Sequence, residues 1–182
     1  MVIYHVKMKY SEGAVTALCG MQSRIYGRIP MLCAELVSVV LLSAALTLDL
    51  FILWKVILLL SGVLIFSFVR HLPTYRARSI AKSWGGEPPE TAYTFSSNDI
   101  LLESKGRERR LSYETILRVI HDERYLYLFT ARNAAYLVPK DQITPGDPDG
   151  LLRLLTEKTG RKARFIPGTA GAQNTPPFRF TR

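Results

Sequence analysis

Two cysteines and three histidines in 182 residues leave little material for metal or redox chemistry. Cys19 and Cys33 have neither zinc-ligand spacing nor a CxxC arrangement, which points to reduced, structural thiols. His5, His71 and His121 show no repeated spacing of the kind a metal site uses. The chain also lacks a glycine-rich phosphate loop, a nucleophile elbow and paired zinc motifs, so no cofactor and no metal is expected. "HDE" at 121–123 comes nearest to an acid–base cluster. Consecutive strand residues point to alternate faces, and at a hairpin these three are expected to splay into solvent. With no candidate nucleophile or base, an enzyme is disfavoured.

Charge of one sign is also scarce: 15 acidic residues stand against 24 basic ones, for a formal charge of +9. Between Met31 and Val69 charge of either sign is scarce, and Glu35, Asp49 and Lys55 interrupt an otherwise apolar run. As one helix that run would be about 58 Å long, roughly twice the hydrocarbon thickness of a bilayer. Two helices, near Pro30–Leu48 and Leu50–Val69, fit instead, with Asp49 in "AALTLDLFILWKV" at the tip of a hairpin. A soluble helical hairpin would carry a polar face, and these segments have almost none. A cleaved signal is disfavoured because the leader before the run is long and patterned like folded protein.

Positive charges are retained on the cytoplasmic side of a membrane. Arg24 and Arg28 precede the first span; Arg70, Arg76, Arg78 and Lys82 follow the second. Both termini are therefore expected in the cytoplasm. Glu35 and Lys55 lie inside the spans, near opposite membrane faces, on the order of 15–20 Å apart, too far to pair within one chain. Each is shallow enough to reach the nearer headgroups, Lys55 by its long stem beside Trp54.

The flanks read as folded protein. "MVIYHVKMKY" alternates with period two, the pattern of a half-buried strand. Such a strand is not stable alone, and the cheapest hypothesis joins it to a sheet formed by the C-terminal half. Ser11 can cap a following helix with Val15, Leu18, Cys19, Gln22, Ile25 and Tyr26 on one side. Beyond the spans, "RHLPTYRARSIAKSW" is basic with interleaved aromatics, suited to an extension of the second helix along the membrane surface, and "GGEPPE" marks a boundary. Then "AYTFS", "DILLES", "RERRLS", "ILRVIHD", "YLYLFTA" and "AAYLVPK" follow one another like strands of an antiparallel meander. In "YLYLF" both faces are apolar, which predicts a central strand covered on each side. Pro139 in "VPK" should end a strand, because proline cannot donate to a ladder. "GDPDGLLRLLTEKTG" reads as a helix with Asp147 at the N-cap, Pro148 at the first position and Gly160 past the end.

The order of strand, helix, two-span hairpin and β-rich cytoplasmic domain resembles the bacterial YcxB-like family. "YTFSSNDILLES", "LSYETILRVIHDERYLYLF" and "AYLVPK", roughly residues 93–140, carry the resemblance. It implies a membrane protein of unassigned role and supplies no catalytic residues. The fold it implies is α+β: a transmembrane helical hairpin plus a small PH-like antiparallel β half-barrel closed by a C-terminal helix. The expected organisation is a cytoplasmic strand and helix (1–29), the hairpin (30–69), a basic juxtamembrane segment and linker (70–90), the PH-like domain (91–160) and a disordered basic tail (161–182).

Two functional classes follow. The first is a non-enzymatic scaffold or adaptor in the bacterial inner membrane, binding a protein partner or a second copy. The alternative is an anionic-lipid sensor, with Arg107, Arg109 and Arg110 joining the juxtamembrane Arg76, Arg78 and Lys82 on headgroups. Tethering beside the inner leaflet favours lipid over nucleic acid as the target of the basic charge, and no nucleic acid is expected.

Overall fold

The computed structural model describes residues 2–47, 51–85, 87–104 and 106–168. Asp49, the expected hairpin tip, lies outside them. The chain opens with strand β1 (Val2–Lys9), followed by helix α1 (Glu12–Tyr26), whose N-cap Ser11 accepts a hydrogen bond from the Ala14 N–H at 3.1 Å. Helices α2 (Arg28–Thr47) and α3 (Ile52–Lys82) come next. Six strands follow: β2 (Glu90–Ser96), β3 (Asp99–Ser104), β4 (Arg107–Ser112), β5 (Arg118–His121), β6 (Tyr125–Ala131) and β7 (Ala134–Pro139). A two-residue strand β8 (Ile143–Thr144), helix α4 (Pro148–Thr159) and a two-residue strand β9 (Arg164–Phe165) complete the head.

β1 does join the later strands. One sheet has the order β4-β3-β2-β1-β8 and the other β7-β6-β5-β9. β1 runs antiparallel to β2, with Val6 opposite Tyr93 and Lys7 opposite Ala92, and is flanked on its other side by β8. Its alternation is what places it: Tyr4, Val6 and Met8 are buried, while His5, Lys7 and Lys9 are exposed. Each such burial stabilises by about 1.5–3 kcal/mol, so β1 contributes a large share of the 5–15 kcal/mol typical of a domain. The head is therefore not the continuous 91–160 segment expected. It is split, with α1, α2 and α3 inserted between its first and second strands.

β6 lies between β5 and β7, and Leu126, Tyr127, Leu128 and Phe129 are all buried, as its two apolar faces predict. α4 is capped as expected: the Asp147 carboxylate accepts from the Gly150 N–H at 2.8 Å, and Gly160 adopts φ +63° beyond its end. Leu151 and Leu155 bring α4 into the core, and the helix packs on the 3-10 turn Tyr113–Thr115.

Three expectations are corrected. α3 does not stop at Val69; it continues through Pro73 to Lys82. The basic segment after Val69 extends the helix, as expected of it, and its last turns pack on α1, where Val15, Cys19 and Ala77 are buried together beside Tyr10 and Trp84. The sheets are not wholly antiparallel, because β9 returns after α4 to run parallel to β5. Order also extends into the expected tail, at least through Gly168; residues 169–182 lie outside the description.

α2 and α3 form an antiparallel pair locked at one close approach. The Ser38 hydroxyl donates to the Gly62 carbonyl at 2.7 Å, and a Cβ on Gly62 would stand 2.9 Å from Leu42 Cγ. Both helices are long and apolar enough to cross a membrane, and only 11% of the most apolar window of each is buried. Gly62→Val is expected to lower the unfolding midpoint in detergent, costing about 1–3 kcal/mol through overpacking. Gly146→Ala, where the added carbon meets nothing closer than 3.9 Å, should leave the midpoint unchanged in the same assay.

Candidate functional site

The six cations singled out from sequence do not make one cluster. Arg107, Arg109 and Arg110 lie on the edge strand β4, three strands from β1, or about 14 Å at the usual strand spacing. Arg107 and Arg109 share one face of the sheet and Arg110 points to the other, beside its cross-strand partner Leu101. Arg76, Arg78 and Lys82 lie on α3. Arg78 reaches Glu12 of α1 at 3.9 Å, and Arg76 sits near Cys19, partly offsetting the burial that pushes that thiol's pKa up.

A different set of cations converges. A cleft of about 660 Å³ is walled by Arg24 of α1, Arg28 at the start of α2, Arg118 of β5, and Arg161, Lys162 and Arg164 of the segment after α4. No acidic side chain lines it. Two exposed apolar side chains stand among these charges: Leu117, 48% exposed, and Phe165, 53% exposed.

Local interactions hold the walls in place. β9 pairs with β5 so that Arg164 lies beside Ile120 and Phe165 beside His121. The Ile166 N–H donates to the His121 carbonyl at 2.9 Å, and the Gly168 N–H donates to the Glu123 carboxylate at 2.9 Å. Arg24 donates to the Pro167 carbonyl at 2.6 Å, tying α1 to this segment. On the neighbouring side, the Arg118 guanidinium lies 5.1 Å from the Tyr26 ring centre, and Arg132 of the β6–β7 turn donates to the Tyr26 carbonyl at 3.1 Å. The cleft thus lies at the seam between the helices and the second sheet. Its cations come from three separated stretches, 24–28, 118 and 161–164, and none of these gives a local motif. The nearest signal is "RKARFI" at 161–166, where charge and apolar residues alternate after a helix stop.

Of "HDE", Glu123 is exposed as expected and His121 is half-buried, but Asp122 does not splay into solvent. Asp122 is only 4% exposed. One of its oxygens accepts from the Arg124 and Tyr125 N–H groups at 2.8 and 2.7 Å, and the other accepts from the Tyr127 hydroxyl at 2.6 Å. That is a turn held by a buried carboxylate, and it folds the β5–β6 hairpin. β7 ends at Pro139 as expected, and the next residue, Lys140, donates to the Asp122 carbonyl and lies 3.3 Å from His121 Nδ1. These groups serve the turn and face one another. Among the described residues no group of three or more His, Cys, Asp and Glu side chains could hold a metal ion.

Residues 95–155 match the family model of the YcxB-like proteins. The YcxB-like segment runs from within β2 to within α4. It includes Leu117 and Arg118 but none of β1, the three inserted helices or β9. No curated protein and no solved structure matches the chain.

Burial and the neighbouring Lys140 charge hold the His121 imidazole below its ordinary pKa. The unfolded chain, with the ordinary value near 6.5, then binds the proton more readily than the folded one. This contribution to stability is complete above about pH 6.5 and is lost as pH falls below it. Thermal unfolding of His121→Gln should therefore show a smaller drop in midpoint between about pH 7 and pH 5 than the parent chain. Equal drops in the two chains would remove His121 from the account.

Proposed function

We propose that this is a two-span membrane protein of the bacterial inner membrane whose cytoplasmic head recognises anionic lipid headgroups. The observation that carries the reading is the composition of the cleft. Six cations with no acid favour an anion, and the exposed Leu117 and Phe165 among them favour one attached to an apolar surface. The cleft includes Arg28, the first residue of α2, so an occupant would sit where the chain leaves the head for the bilayer.

Membrane placement draws support from the helices. Leu36, Val40, Leu60 and Leu64 are 58–67% exposed, an arrangement that water penalises and acyl chains accommodate. The pairing of β1 with β2 supports a hairpin whose two ends share one side of the membrane, and the arginines at those ends favour the cytoplasm. Two sheets closed by α4 support a PH-like half-barrel for the head. Recognition rather than catalysis is favoured by His121, Asp122 and Lys140, whose polar atoms are engaged with one another and with backbone.

The test uses the full chain in neutral detergent, with thermal unfolding followed as phospholipid is added. Anionic lipid should raise the midpoint more than neutral lipid, and the difference should shrink with salt. Replacing Arg118, Arg161 and Arg164 together by Ala should weaken anionic binding by ~100-fold, at about 1 kcal/mol per cation. The Arg107, Arg109 and Arg110 triple Ala variant should behave like the parent. Equal responses to anionic and neutral lipid would overturn the lipid reading in favour of a protein-binding scaffold.

A further inference from the structure

A second concavity, of about 640 Å³, opens where α1, α2 and α3 meet, and Arg24, Arg28, Met31, Leu32, Glu35 and Arg70 are among its walls. Positions 28, 31, 32 and 35 fall at the i, i+3, i+4, i+7 spacing of one helix face. The groove therefore follows α2 for two turns, about 10 Å, from Arg28 down to Glu35. Given the membrane placement proposed above, on which this inference rests, Arg24 and Arg28 stand at its wet end. Glu35 lies at the depth where acyl chains begin.

The carboxylate is the group that needs explaining. Ionisable side chains at this depth are costly unless they are paired, and they mark functional sites. Yet among the described residues Glu35 makes no ion pair within 4.0 Å. Arg70, across the groove on α3, leans toward the same depth, its guanidinium 4.8 Å from the ring centre of Phe66 one turn deeper. A carboxylate and a guanidinium thus face one concavity without meeting. A group that donates to the first and accepts from the second would satisfy both, and a hydroxyl does so with a single oxygen. Above it, Arg24 and Arg28 suit a phosphate. Met31 and Leu32 give the same groove an apolar wall.

We propose that this groove binds a lysophospholipid, a glycerophospholipid with one acyl chain. Its free glycerol hydroxyl lies between Glu35 and Arg70, its phosphate lies on Arg24 and Arg28, and its chain leaves along the apolar wall of α2. A diacyl lipid of the same charge has that oxygen esterified. It has no proton there for Glu35 and carries a second chain beside it.

The probes are phosphatidylglycerol, its monoacyl form and a monoacyl form methylated on the free glycerol-backbone hydroxyl, each titrated into the full chain in neutral detergent with thermal unfolding as the readout. The parent chain should prefer the monoacyl form by about tenfold, and methylation should abolish the preference. Glu35→Leu should bind monoacyl and diacyl forms equally. Arg28→Ala should weaken both. The preference should survive in the Arg118, Arg161 and Arg164 triple Ala variant, because those residues line only the cleft. Equal affinity of the parent for the monoacyl and diacyl forms, or an unchanged preference after methylation, would overturn the inference while leaving the cleft reading intact. Release of the full chain from membranes by alkaline wash would overturn the membrane placement and this inference with it.

Discussion

The pairing of β1 with β2 is the constraint on which the rest of the molecule depends. About 80 residues separate the two strands in sequence, and closing an unstructured loop of that length costs about 4 kcal/mol. The intervening chain is not unstructured. α2 and α3 pack antiparallel, held where Ser38 meets Gly62, so the chain that leaves the head comes back beside its point of departure. The last turns of α3 then pack on α1, leaving only short connections to β1 and β2. The helical hairpin brings the two strands together, and the sheet in turn fixes which ends of the hairpin share a side.

The same arrangement couples the head to the helices. Arg24 ties α1 to the segment after α4, and Arg132 ties the β6–β7 turn to the end of α1. The first of these ties lies beside the two concavities, and Arg24 and Arg28 line each of them. An occupant of either would therefore touch the seam between the head and the helices. The junction is also tied on its other side: β1 runs into α1 through Tyr10 and Ser11, and Trp84 after α3 packs edge-on to Tyr10 at 6.4 Å.

Much of the fold could be read locally. The alternation of Tyr4, Val6 and Met8 marked β1, the apolar run 126–129 marked the covered strand β6, and Asp147, Pro148 and Gly160 bounded α4. What escaped had no local signal. β8 and β9 are two residues long, shorter than any period-2 pattern can register. α3 persists through Pro73 because tertiary packing on α1 outweighs the proline's local penalty. Asp122 reads as a solvated turn residue, and only the hairpin geometry shows its two oxygens taken up by backbone and Tyr127. The basic cleft was illegible for a stronger reason: Arg24, Arg118 and Arg164 are distant in sequence and meet only once β9 has folded back beside β5. The split domain also has a practical consequence. A fragment beginning at residue 85 would lack β1, a strand flanked on both sides in its sheet, and is unsuitable for isolating the head.

The central claim, that one domain is built from both sides of the inserted helices, is tested most directly by an inter-strand disulfide. Lys7 and Ala92 are directly opposed on β1 and β2, within the distance at which paired cysteines can bond. In a full chain with Cys19 and Cys33 replaced by Ala, Lys7→Cys with Ala92→Cys should cross-link within one chain under mild oxidation in membranes. Lys9→Cys with Ala92→Cys, two positions out of register, should not. A failure of the first pair to cross-link, or a bond that forms only between two chains, would contradict the account.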